Sequence, residues 1–513
     1  MSIYVFSLLI GYELSGVDVA QGRRSSYLCK RGIPVKHVFT SIPELKHIEH
    51  YINCGIQPEQ MISLQLKMFG LDNLAGDFLV EKKIEQLKNN INIDNIVESE
   101  ENVTLYINGN RFAVMEKKND GRYFHTISFF EEERLIAREI YTDRLIYTHH
   151  YITVADDTGM LFAKLNRTVF VDNKGKKVCE CFYEDGNEIY MYPNGMSFNR
   201  YELLEKSIKE LYLTEKDTVI IDRPSYMEYI QPLLKYKNNA RLSVFLHSLH
   251  YYEPGEGYEG LYLSYEYYGW FKFSKYIDDI IVSTQAQKEE LISKYIEYNC
   301  YVPRIEVIPA SGLEKLRYPV EERIPYSLIT TSRINKRKNI EWMILSVVKA
   351  HEMIPQLTLD IYGTGADECV NSLKLLVKEN NAEDYICFKG KADVSELYKK
   401  YEVYITTSLW ETLGLSNMEA AGSGNAMIGL DVRYGNPLFI KNDINGKLID
   451  FDLKEIEKEG TKDVTIEKLA KAIVEVFDDK ECLEKYHENS YNIAKDFLDK
   501  EIEQKWVKFL NKS

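Results

Sequence analysis

The hydrophobic residues follow two different patterns along the chain. At both ends, short apolar runs alternate with helix-length segments, which is typical of strands in a parallel α/β sheet. Between about residues 100 and 200, apolar and polar positions alternate one by one. Turn pairs such as Asn108-Gly109, Asp185-Gly186 and Asn194-Gly195 separate these runs and indicate an antiparallel meander. We therefore predict an α/β fold in which an antiparallel sheet is inserted into the first of two doubly wound domains.

The first 40 residues predict one βα unit followed by a second strand. An apolar run covers Ile3–Ile10, a helical segment extends from about Asp18 to Lys30, and Val35–Thr40 forms the next strand. The loop Gly11–Gly16 therefore follows a strand and precedes a helix, which is where ligands bind in open α/β sheets. Glycine alone is weak evidence here, since a turn can need it for its geometry.

Alternation of strands and helices resumes near residue 200 and predicts the remaining organisation. The predicted strands are Thr218–Asp222, Leu242–His247, Ile280–Ser283, Ser327–Thr331, Leu357–Tyr362 and Tyr385–Lys389, and the clearest helices are Ile340–His351 and Cys369–Glu379. We expect a first doubly wound domain at 1–95 with 201–322, an inserted sheet at 96–200 for oligomerisation or binding to another molecule, a second doubly wound domain at 323–490, and a terminal helix at 491–513. Two consecutive doubly wound domains predict a ligand cleft between them.

Composition narrows the class of ligand. The 64 Lys and Arg residues against 79 Asp and Glu residues give a net charge of −15, which disfavours nucleic-acid binding but leaves room for a small phosphorylated ligand. The eight cysteines have neither disulfide-framework nor zinc spacing, so we expect a reducing compartment. The predicted location is the cytoplasm, with at most peripheral contact at the inner face of the cell membrane.

Two segments carry the candidate chemistry. Thr330–Asn339 places four basic residues within six positions directly after a strand, with Arg333 and Lys338 suited to neutralise a diphosphate. Trp410–Ala420 has Glu411 and Glu419 eight positions apart around a glycine turn. A helix beginning near Ser416 could offer backbone amides to a phosphate. Gly363 lies between these segments in a short Gly-x-Gly pair that is weak by itself.

The order of these motifs resembles the nucleotide-sugar domain of GT-B retaining glycosyltransferases of the GT4-like kind. Ile428–Pro437 and Asn445–Ile449 add to this resemblance, and Ser15–Gln21 with Arg24 resembles the first loop of the GtfA-type protein O-glycosyltransferases of the accessory secretion system. The resemblance implies two Rossmann-like domains facing a cleft, an N-terminal acceptor domain and a C-terminal nucleotide-sugar domain. The sheet inserted into the N-terminal domain would then bind the acceptor or a partner subunit, or form an oligomer. One departure is Thr412, which stands where such enzymes usually have glycine.

The resemblance also implies roles for individual residues. Arg333 and Lys338 would hold the diphosphate of a UDP-sugar, and Glu411 would bind hydroxyls of the donor sugar. His247 would contact that sugar as well, with His250 as a nearby second candidate. The implied nucleotide and sugar contacts are Gly16, Val17, Gly363, Lys391, Ala392, Gly414, Leu415, Ser416 and Glu419, with Lys391 and Ala392 near uracil and Glu419 on the ribose.

Two further segments of the sequence bear on metal binding and on acceptor binding. Asp450-Phe-Asp452 matches an Asp-x-Asp metal motif, but the basic pair already supplies the diphosphate with its counter-charge, so we predict no metal and no other cofactor. The tyrosine-rich segment that begins with Glu253–Gly260 is an acceptor-binding or lid candidate; an ordinary surface loop is nearly as good an interpretation.

The predicted function is therefore transfer of a sugar from a UDP-sugar. N-acetylglucosamine is the favoured sugar, and glucose is the second choice. The predicted acceptor is Ser or Thr of a serine-rich bacterial adhesin, or a sugar already attached to it. The alternatives are a wall teichoic acid glycosyltransferase and a non-catalytic partner subunit of a glycosyltransferase complex. Expected partners are the UDP-sugar, the glycoprotein acceptor and a second subunit or copy. The net charge argues mildly against a polyphosphate acceptor, and intact Arg333, Lys338, Glu411 and Glu419 argue against a non-catalytic subunit.

Overall fold

The computed structural model describes residues 1–7, 16–71, 74, 76–118, 121–222, 229–252, 262–263 and 265–512. Most of the predicted glycine loop, residues 11–15, and the candidate acceptor loop Glu253–Gly260 lie outside the described residues. None of the helices in these ranges has the length and hydropathy that a membrane crossing needs.

The strands are β1 Ile3–Ser7, β2 Val35–Phe39, β3 Met61–Ser63, β4 Phe78–Leu79, β5 Asn95–Glu98, β6 Asn102–Ile107, β7 Asn110–Lys117, β8 Tyr123–Glu131, β9 Arg134–Tyr141, β10 Leu145–Ala155, β11 Leu161–Val171, β12 Lys177–Glu184, β13 Asn187–Met191, β14 Ser197–Asn199, β15 Thr218–Ile221, β16 Arg241–Leu246, β17 Tyr251–Tyr252, β18 Tyr262–Leu263, β19 Asp279–Val282, β20 Arg304–Val307, β21 Ile324–Thr331, β22 Thr358–Tyr362, β23 Ile386–Gly390, β24 Tyr401–Thr406, β25 Ala426–Leu430 and β26 Gly446–Ile449. The helices are α1 Gly16–Lys30, α2 Leu45–Asn53, α3 Leu64–Lys67, α4 Val80–Lys88, α5 Arg200–Lys209, α6 Ile230–Tyr236, α7 Tyr265–Lys272, α8 Gln285–Glu297, α9 Ile340–Met353, α10 Asp367–Glu379, α11 Leu415–Gly422, α12 Gly435–Phe439, α13 Thr461–Asp478, α14 Lys480–Ala494 and α15 Asp499–Leu510. The strands and helices named in the sequence analysis are confirmed within the described residues, with ends that differ by a few residues. Residues 8–10 of the predicted first strand lie outside that part of the chain, and the segment 491–513 contains the end of α14 and the separate helix α15.

The chain forms two compact units. The first contains Met1–Leu14, Ile33–Ile221 and Tyr226–Arg241, and the second contains Ser15–Gly32, Asp222–Ser225 and Leu242–Ser513. These units group the residues differently from the four predicted segments, because α1 and the stretch from Leu242 to residue 322 cluster with the C-terminal part. The predicted domain limits stay a prediction.

The first unit combines a parallel and an antiparallel sheet. Its parallel strands lie in the order β15-β1-β2-β3, and β5 to β14 form a meander in chain order with β4 beside β8. The Asn108-Gly109 turn is confirmed between β6 and β7, with φ values of 51° and 76°. The predicted meander is therefore present in the N-terminal region.

The meander shares a hydrophobic core with the α/β elements around it. Phe39 and Tyr51, from β2 and α2, belong to the same buried cluster as Phe170, Cys181 and Tyr190 of the meander. The Phe69 and Phe170 rings lie 4.6 Å apart. This face of the sheet therefore depends on its neighbours for burial, as expected of a sheet with one covered face.

The second unit contains two groups of parallel strands. One has the order β20-β19-β16, and the other has the order β23-β22-β21-β24-β25-β26. Residues of β22, β24 and β25 alternate between core clusters on the two faces of the second group, which explains their nearly continuous apolar sequences. The carboxyl ends of these strands carry the predicted nucleotide-sugar segments.

Gly363 lets two of these carboxyl ends approach closely. Ser332 N donates to Tyr362 O at 3.1 Å and Ile334 N donates to Thr364 O at 2.7 Å. Gly363 has φ 135°, and a Cβ atom there would lie only 1.8 Å from Ser332 O. The loop that carries Arg333 therefore keeps its position only if residue 363 lacks a side chain.

Gly363→Ala is expected to destabilise the protein by at least about 2 kcal/mol, because the new methyl group meets a backbone carbonyl that cannot yield. The matched control is Gly390→Ala, where φ is 71° but nothing lies within 4 Å of the added Cβ. That control should lose only about 1 kcal/mol. Urea unfolding of both variants measures the difference, and equal losses would contradict the explanation.

Candidate active site

The basic segment is held at the carboxyl end of β21 by its own polar residues. Asn335 Oδ1 accepts from Lys338 N at 3.3 Å, which stabilises a single helical turn at Lys336–Lys338. Thr407 Oγ1 donates to the carbonyl oxygens of Lys338 and Asn339 at 3.1 and 2.9 Å. The backbone of Lys338 is therefore fixed between β24 and the start of α9.

Lys338 and Glu411 form a direct ion pair. Lys338 Nζ lies 2.6 Å from Glu411 Oε2, and their side chains are 25% and 20% exposed. Ser332 and Ser416 join this pair in lining a cavity of about 10 Å³, which is room for roughly one water molecule. Arg333 is exposed and forms no ion pair within the described residues. This loop therefore carries Lys338, which is paired with Glu411, and Arg333, which forms no ion pair in the part of the chain described.

Gly414 makes the sharp connection between Glu411 and α11. Its φ is 81°, and a Cβ atom there would lie 2.8 Å from Asn417 Nδ2 and 3.0 Å from Glu411 Cγ. α11 begins at Leu415, and Ser416 Oγ donates to Thr331 O at 2.9 Å. The first turn of α11, with its unpaired backbone amides, therefore lies against the end of β21, next to the basic segment.

The N-terminus of α1 lies beside that of α11. A Cβ atom on Gly16 would be 2.9 Å from Leu415 Cδ1, so Gly16 allows this close approach. Val17 follows as a half-buried residue. Both helix ends carry partial positive charge, and the two cations of the basic segment are nearby in the fold. Two helix N-termini beside two cations are suited to binding an anion.

Glu419 lies one turn into α11 and is half-buried. Tyr398 donates its hydroxyl to Glu419 Oε2 at 3.3 Å. Burial raises the pKa of Glu419, although the Arg23 charge and the Tyr398 hydrogen bond oppose the rise. Its carboxylate is therefore a strong hydrogen-bond acceptor in partly apolar surroundings.

Lys391 and Ala392 follow β23 and are both exposed. Gly363 N donates to Gly390 O at 2.8 Å, so these residues lie next to the loop packed on Ser332. The Ser332 carbonyl occupies the space that a side chain at residue 363 would need. Gly363 therefore helps to position the basic segment. The ligand contacts predicted for these three residues stay a prediction.

His247 is part of a buried charged triad. Its Nε2 lies 2.9 Å from Asp222 Oδ1, and Arg24 makes two bonds to the same carboxylate. Arg24 and Asp222 have no exposed side-chain surface. Burial alone would raise the pKa of Asp222, but the Arg24 charge and the His247 hydrogen bond hold it well below the usual carboxyl range. Phe245 also stacks on His247 at 4.1 Å. The histidine ring is therefore firmly oriented.

Sequence reasoning missed Asp222 and did not assign a role to Arg24. The available signal was an acidic residue directly after the apolar run Val219–Ile221, at a strand end where ligands bind. Arg24 occupies the middle of a helix, and its guanidinium also lies 5.1 Å from the Trp506 ring. Nothing local in the sequence indicates either contact.

His250 is placed differently from His247. It is fully buried, and neither ring nitrogen has a hydrogen-bond partner in the part of the chain that the structure describes. Burial first, then the Arg433 and Lys294 charges, lowers its pKa to about 3. His247, which keeps some exposed surface, is therefore the better candidate for contact with a ligand.

The Asp-x-Asp motif has a local structural role. Asp452 Oδ1 accepts from Lys454 N at 3.0 Å and begins a short helical turn. Within the described ranges no group of three or more His, Cys, Asp or Glu residues could hold a metal ion. Independence of a metal stays a prediction.

Comparison with known proteins identifies the family of this chain. Residues 321–493 match the family Glycosyl transferases group 1. The chain is 31% identical over 519 residues to the UDP-N-acetylglucosamine–peptide N-acetylglucosaminyltransferase GtfA subunit of Streptococcus agalactiae, covering 100% of this chain and 99% of the relative.

Solved structures agree with that match. The pneumococcal O-GlcNAc transferase GtfA in complex with UDP and GlcNAc has a TM-score of 0.87 at 29% identity, covering 100% of this chain and 98% of the other. A GtfA/B complex gives the same score and identity, with 100% and 99% coverage. The chain therefore has the GT-B fold and belongs to the family of the GtfA-subunit peptide N-acetylglucosaminyltransferases.

Proposed function

We propose that this chain transfers N-acetylglucosamine from UDP-N-acetylglucosamine to Ser or Thr hydroxyls of a serine-rich protein, with retention at the anomeric carbon. The observation that carries the proposal is the Lys338–Glu411 contact beside the N-termini of α1 and α11. The named activity of the Streptococcus agalactiae relative supports the same donor and a peptide acceptor.

In this proposal, the diphosphate takes Lys338 away from Glu411. The phosphate oxygens would bind Lys338, Arg333 and the backbone amides of Gly414–Ser416, where charge-assisted hydrogen bonds are strongest. Glu411, released from its ion pair, would accept hydrogen bonds from the donor-sugar hydroxyls. Binding of the diphosphate and orientation of the sugar would therefore occur together.

The chemical step would gain most from stabilising the departing UDP. Negative charge grows on the phosphate oxygen as the glycosidic bond breaks, and Lys338 and Arg333 are positioned to oppose it. His247, oriented by Asp222, would contact the donor sugar. Because no carboxylate is identified as a covalent nucleophile, we favour attack by the acceptor hydroxyl from the side of the leaving phosphate.

The nucleoside would be held by the remaining segment. Glu419 would accept from the ribose hydroxyls, and the backbone of Gly390–Ala392 would surround uracil. The intact set of Arg333, Lys338, Glu411 and Glu419 supports an active enzyme over a non-catalytic subunit. The eight free cysteines favour the reducing cytoplasm, where we place the enzyme with a partner subunit at the inner face of the membrane.

Lys338→Ala is expected to lower transfer by at least about 100-fold, because the departing diphosphate loses its positioned cation. The fold should be kept, since a partly exposed ion pair contributes little to stability. Lys336→Ala is the matched control, as Lys336 is exposed on the same helical turn. Initial rates with UDP-N-acetylglucosamine and a serine-rich peptide measure the effect. Near-normal turnover in Lys338→Ala would remove the diphosphate assignment.

Activity should persist in excess chelator, because protein cations and helix amides supply the counter-charge of the diphosphate. Transfer rates with and without EDTA, followed by addition of magnesium or manganese, test this expectation. Recovery of lost activity by either ion would show that the diphosphate needs a metal.

The inserted sheet is proposed to bind the acceptor or the partner subunit through the end of its β10–β11 hairpin. Ile152, Met160, Leu161 and Phe162 are between 45% and 69% exposed there, although they are large and apolar. The GtfA/B complex of a related chain supports a partner surface on this type of protein. Deleting the whole sheet would expose the shared core, so point substitutions are the better test.

The double variant Leu161→Asp, Phe162→Asp is expected to lower transfer to the serine-rich peptide, or binding of the partner subunit, roughly ten-fold. Hydrolysis of UDP-N-acetylglucosamine should stay unchanged, since the proposed donor residues belong to the second unit. The control is Val97→Asp, which adds one such negative charge at an exposed apolar position of edge strand β5. Unchanged transfer and unchanged partner binding would exclude this surface.

A further inference from the structure

The backbone of Glu411 is held by the loop that follows β25. Glu411 N donates to Arg433 O at 3.1 Å, while Tyr434 N and Gly435 N both donate to Glu411 O at 2.6 Å. A Cβ atom on Gly435 would lie 2.2 Å from Leu413 O, so glycine is required for this approach. The position of Glu411 therefore follows the position of Arg433–Gly435.

The Arg433 side chain is in turn anchored on α8. Arg433 NH1 lies 3.0 Å from Glu290 Oε1, and both side chains are mostly buried, with 23% and 24% exposed. The Tyr251 hydroxyl donates to the same carboxylate oxygen, and the Arg433 guanidinium lies 5.0 Å from the centre of the Tyr251 ring. Glu290 thus receives bonds from the loop that holds Glu411 and from β17, which follows the His247 segment.

A second contact joins the same two regions. The Tyr252 ring packs edge-on against Trp410 at 6.0 Å, and Trp410 directly precedes Glu411. β17 therefore contacts the Glu411 segment through Tyr252 and, by way of Glu290 and Arg433, through Tyr251. Tyr251, Tyr252 and Glu290 lie outside the motifs that predicted the diphosphate site.

We propose that Glu290 is a positioning residue for Glu411, acting through Arg433 to hold it at the donor sugar. This inference rests on the proposed function, in which Glu411 binds donor-sugar hydroxyls. Glu290 itself lies on α8, and its carboxylate contacts Arg433 and Tyr251. Its removal should therefore disturb recognition of the sugar more than recognition of UDP.

The physical reason is the sensitivity of catalysis to position. A carboxylate that accepts from sugar hydroxyls must lie within hydrogen-bond distance, and a displacement of about 1 Å costs up to roughly 100-fold in rate. Without the Glu290 carboxylate, the Arg433 guanidinium loses its ion pair in a mostly buried site. The loop of Arg433–Gly435 would shift with it, and Glu411 would follow.

The test compares Glu290→Gln with Glu289→Gln. Glu289 is the adjacent residue on α8 and is exposed. In the part of the chain described, its carboxylate accepts a side-chain hydrogen bond only from Gln285. Both variants lose one negative charge from the same helix turn. Calorimetry gives the Kd for UDP and for UDP-N-acetylglucosamine, and steady-state hydrolysis of the donor separates KM from kcat.

For Glu290→Gln we expect the Kd for UDP-N-acetylglucosamine to rise roughly ten-fold more than the Kd for UDP, together with a lower kcat. Glu289→Gln should match the wild type in all three. Tyr251→Phe removes the hydroxyl that donates to the same oxygen of Glu290. It should change the same quantities in the same direction, but by a smaller amount. This milder variant keeps the test decisive if Glu290→Gln is poorly folded.

Two results would overturn the inference. If both ligands weaken equally and the melting temperature falls, Glu290 has only a structural role. If Glu290→Gln and Tyr251→Phe both keep wild-type donor affinity and kcat, the chain of contacts does not position Glu411. A wild-type protein that binds no UDP and hydrolyses no UDP-N-acetylglucosamine is a different outcome, because it removes the proposed function itself.

Discussion

The buried ion pair between Arg24 and Asp222 is the interaction on which the candidate site depends most. Neither side chain has exposed surface, so each charge would be very costly without the other. The pair joins the middle of α1 to the residue that follows β15, and Asp222 also orients His247. Since α1 begins with Gly16 beside Leu415, the same contact helps to place a helix N-terminus at the anion site.

Around this anchor, the second unit brings opposite charges together. Lys338 and Glu411 neutralise each other, which avoids a lone partly buried charge of either sign. In the proposed function, a diphosphate would replace Glu411 as the partner of Lys338 because it offers more negative charge and several acceptor oxygens. The same exchange would give Glu411 to the sugar, and binding of the two halves of a UDP-sugar would then be linked through one ion pair.

The first unit shows a different constraint. Its meander cannot be regarded as an independent addition, because one face is buried in a core formed with β2, α2 and α3. Its β10–β11 hairpin extends beyond that core and keeps large apolar residues exposed. Packing at one end and exposure at the other are what a sheet needs if it is to be held firmly while presenting a surface to another protein.

The sequence by itself determined the order and type of the main elements, because their signals are local. Period-two alternation, Asn-Gly turns and apolar runs depend only on neighbouring residues. They located the meander, β16 and β19 of one parallel group, and β21, β22 and β23 of the other, whereas β20, β24 and β25 were not predicted. The Lys338 and Glu411 segments were recognisable for the same reason: basic residues directly after a strand, and a glycine turn before a helix. The role expected of Glu419 on that helix came from the resemblance to known glycosyltransferases.

Only the tertiary structure decided which distant residues meet. Asp222 and Arg24 are 198 positions apart, and Glu290 and Arg433 are 143 positions apart, so no periodicity connects them. The different surroundings of His247 and His250 also became visible only in the structure: both follow the same strand, but His247 contacts Asp222 and Phe245, whereas His250 is fully buried. The reason is physical: local patterns set backbone conformation, whereas an ion pair or a buried ring exists only when packing of the whole chain places both partners within a few ångströms.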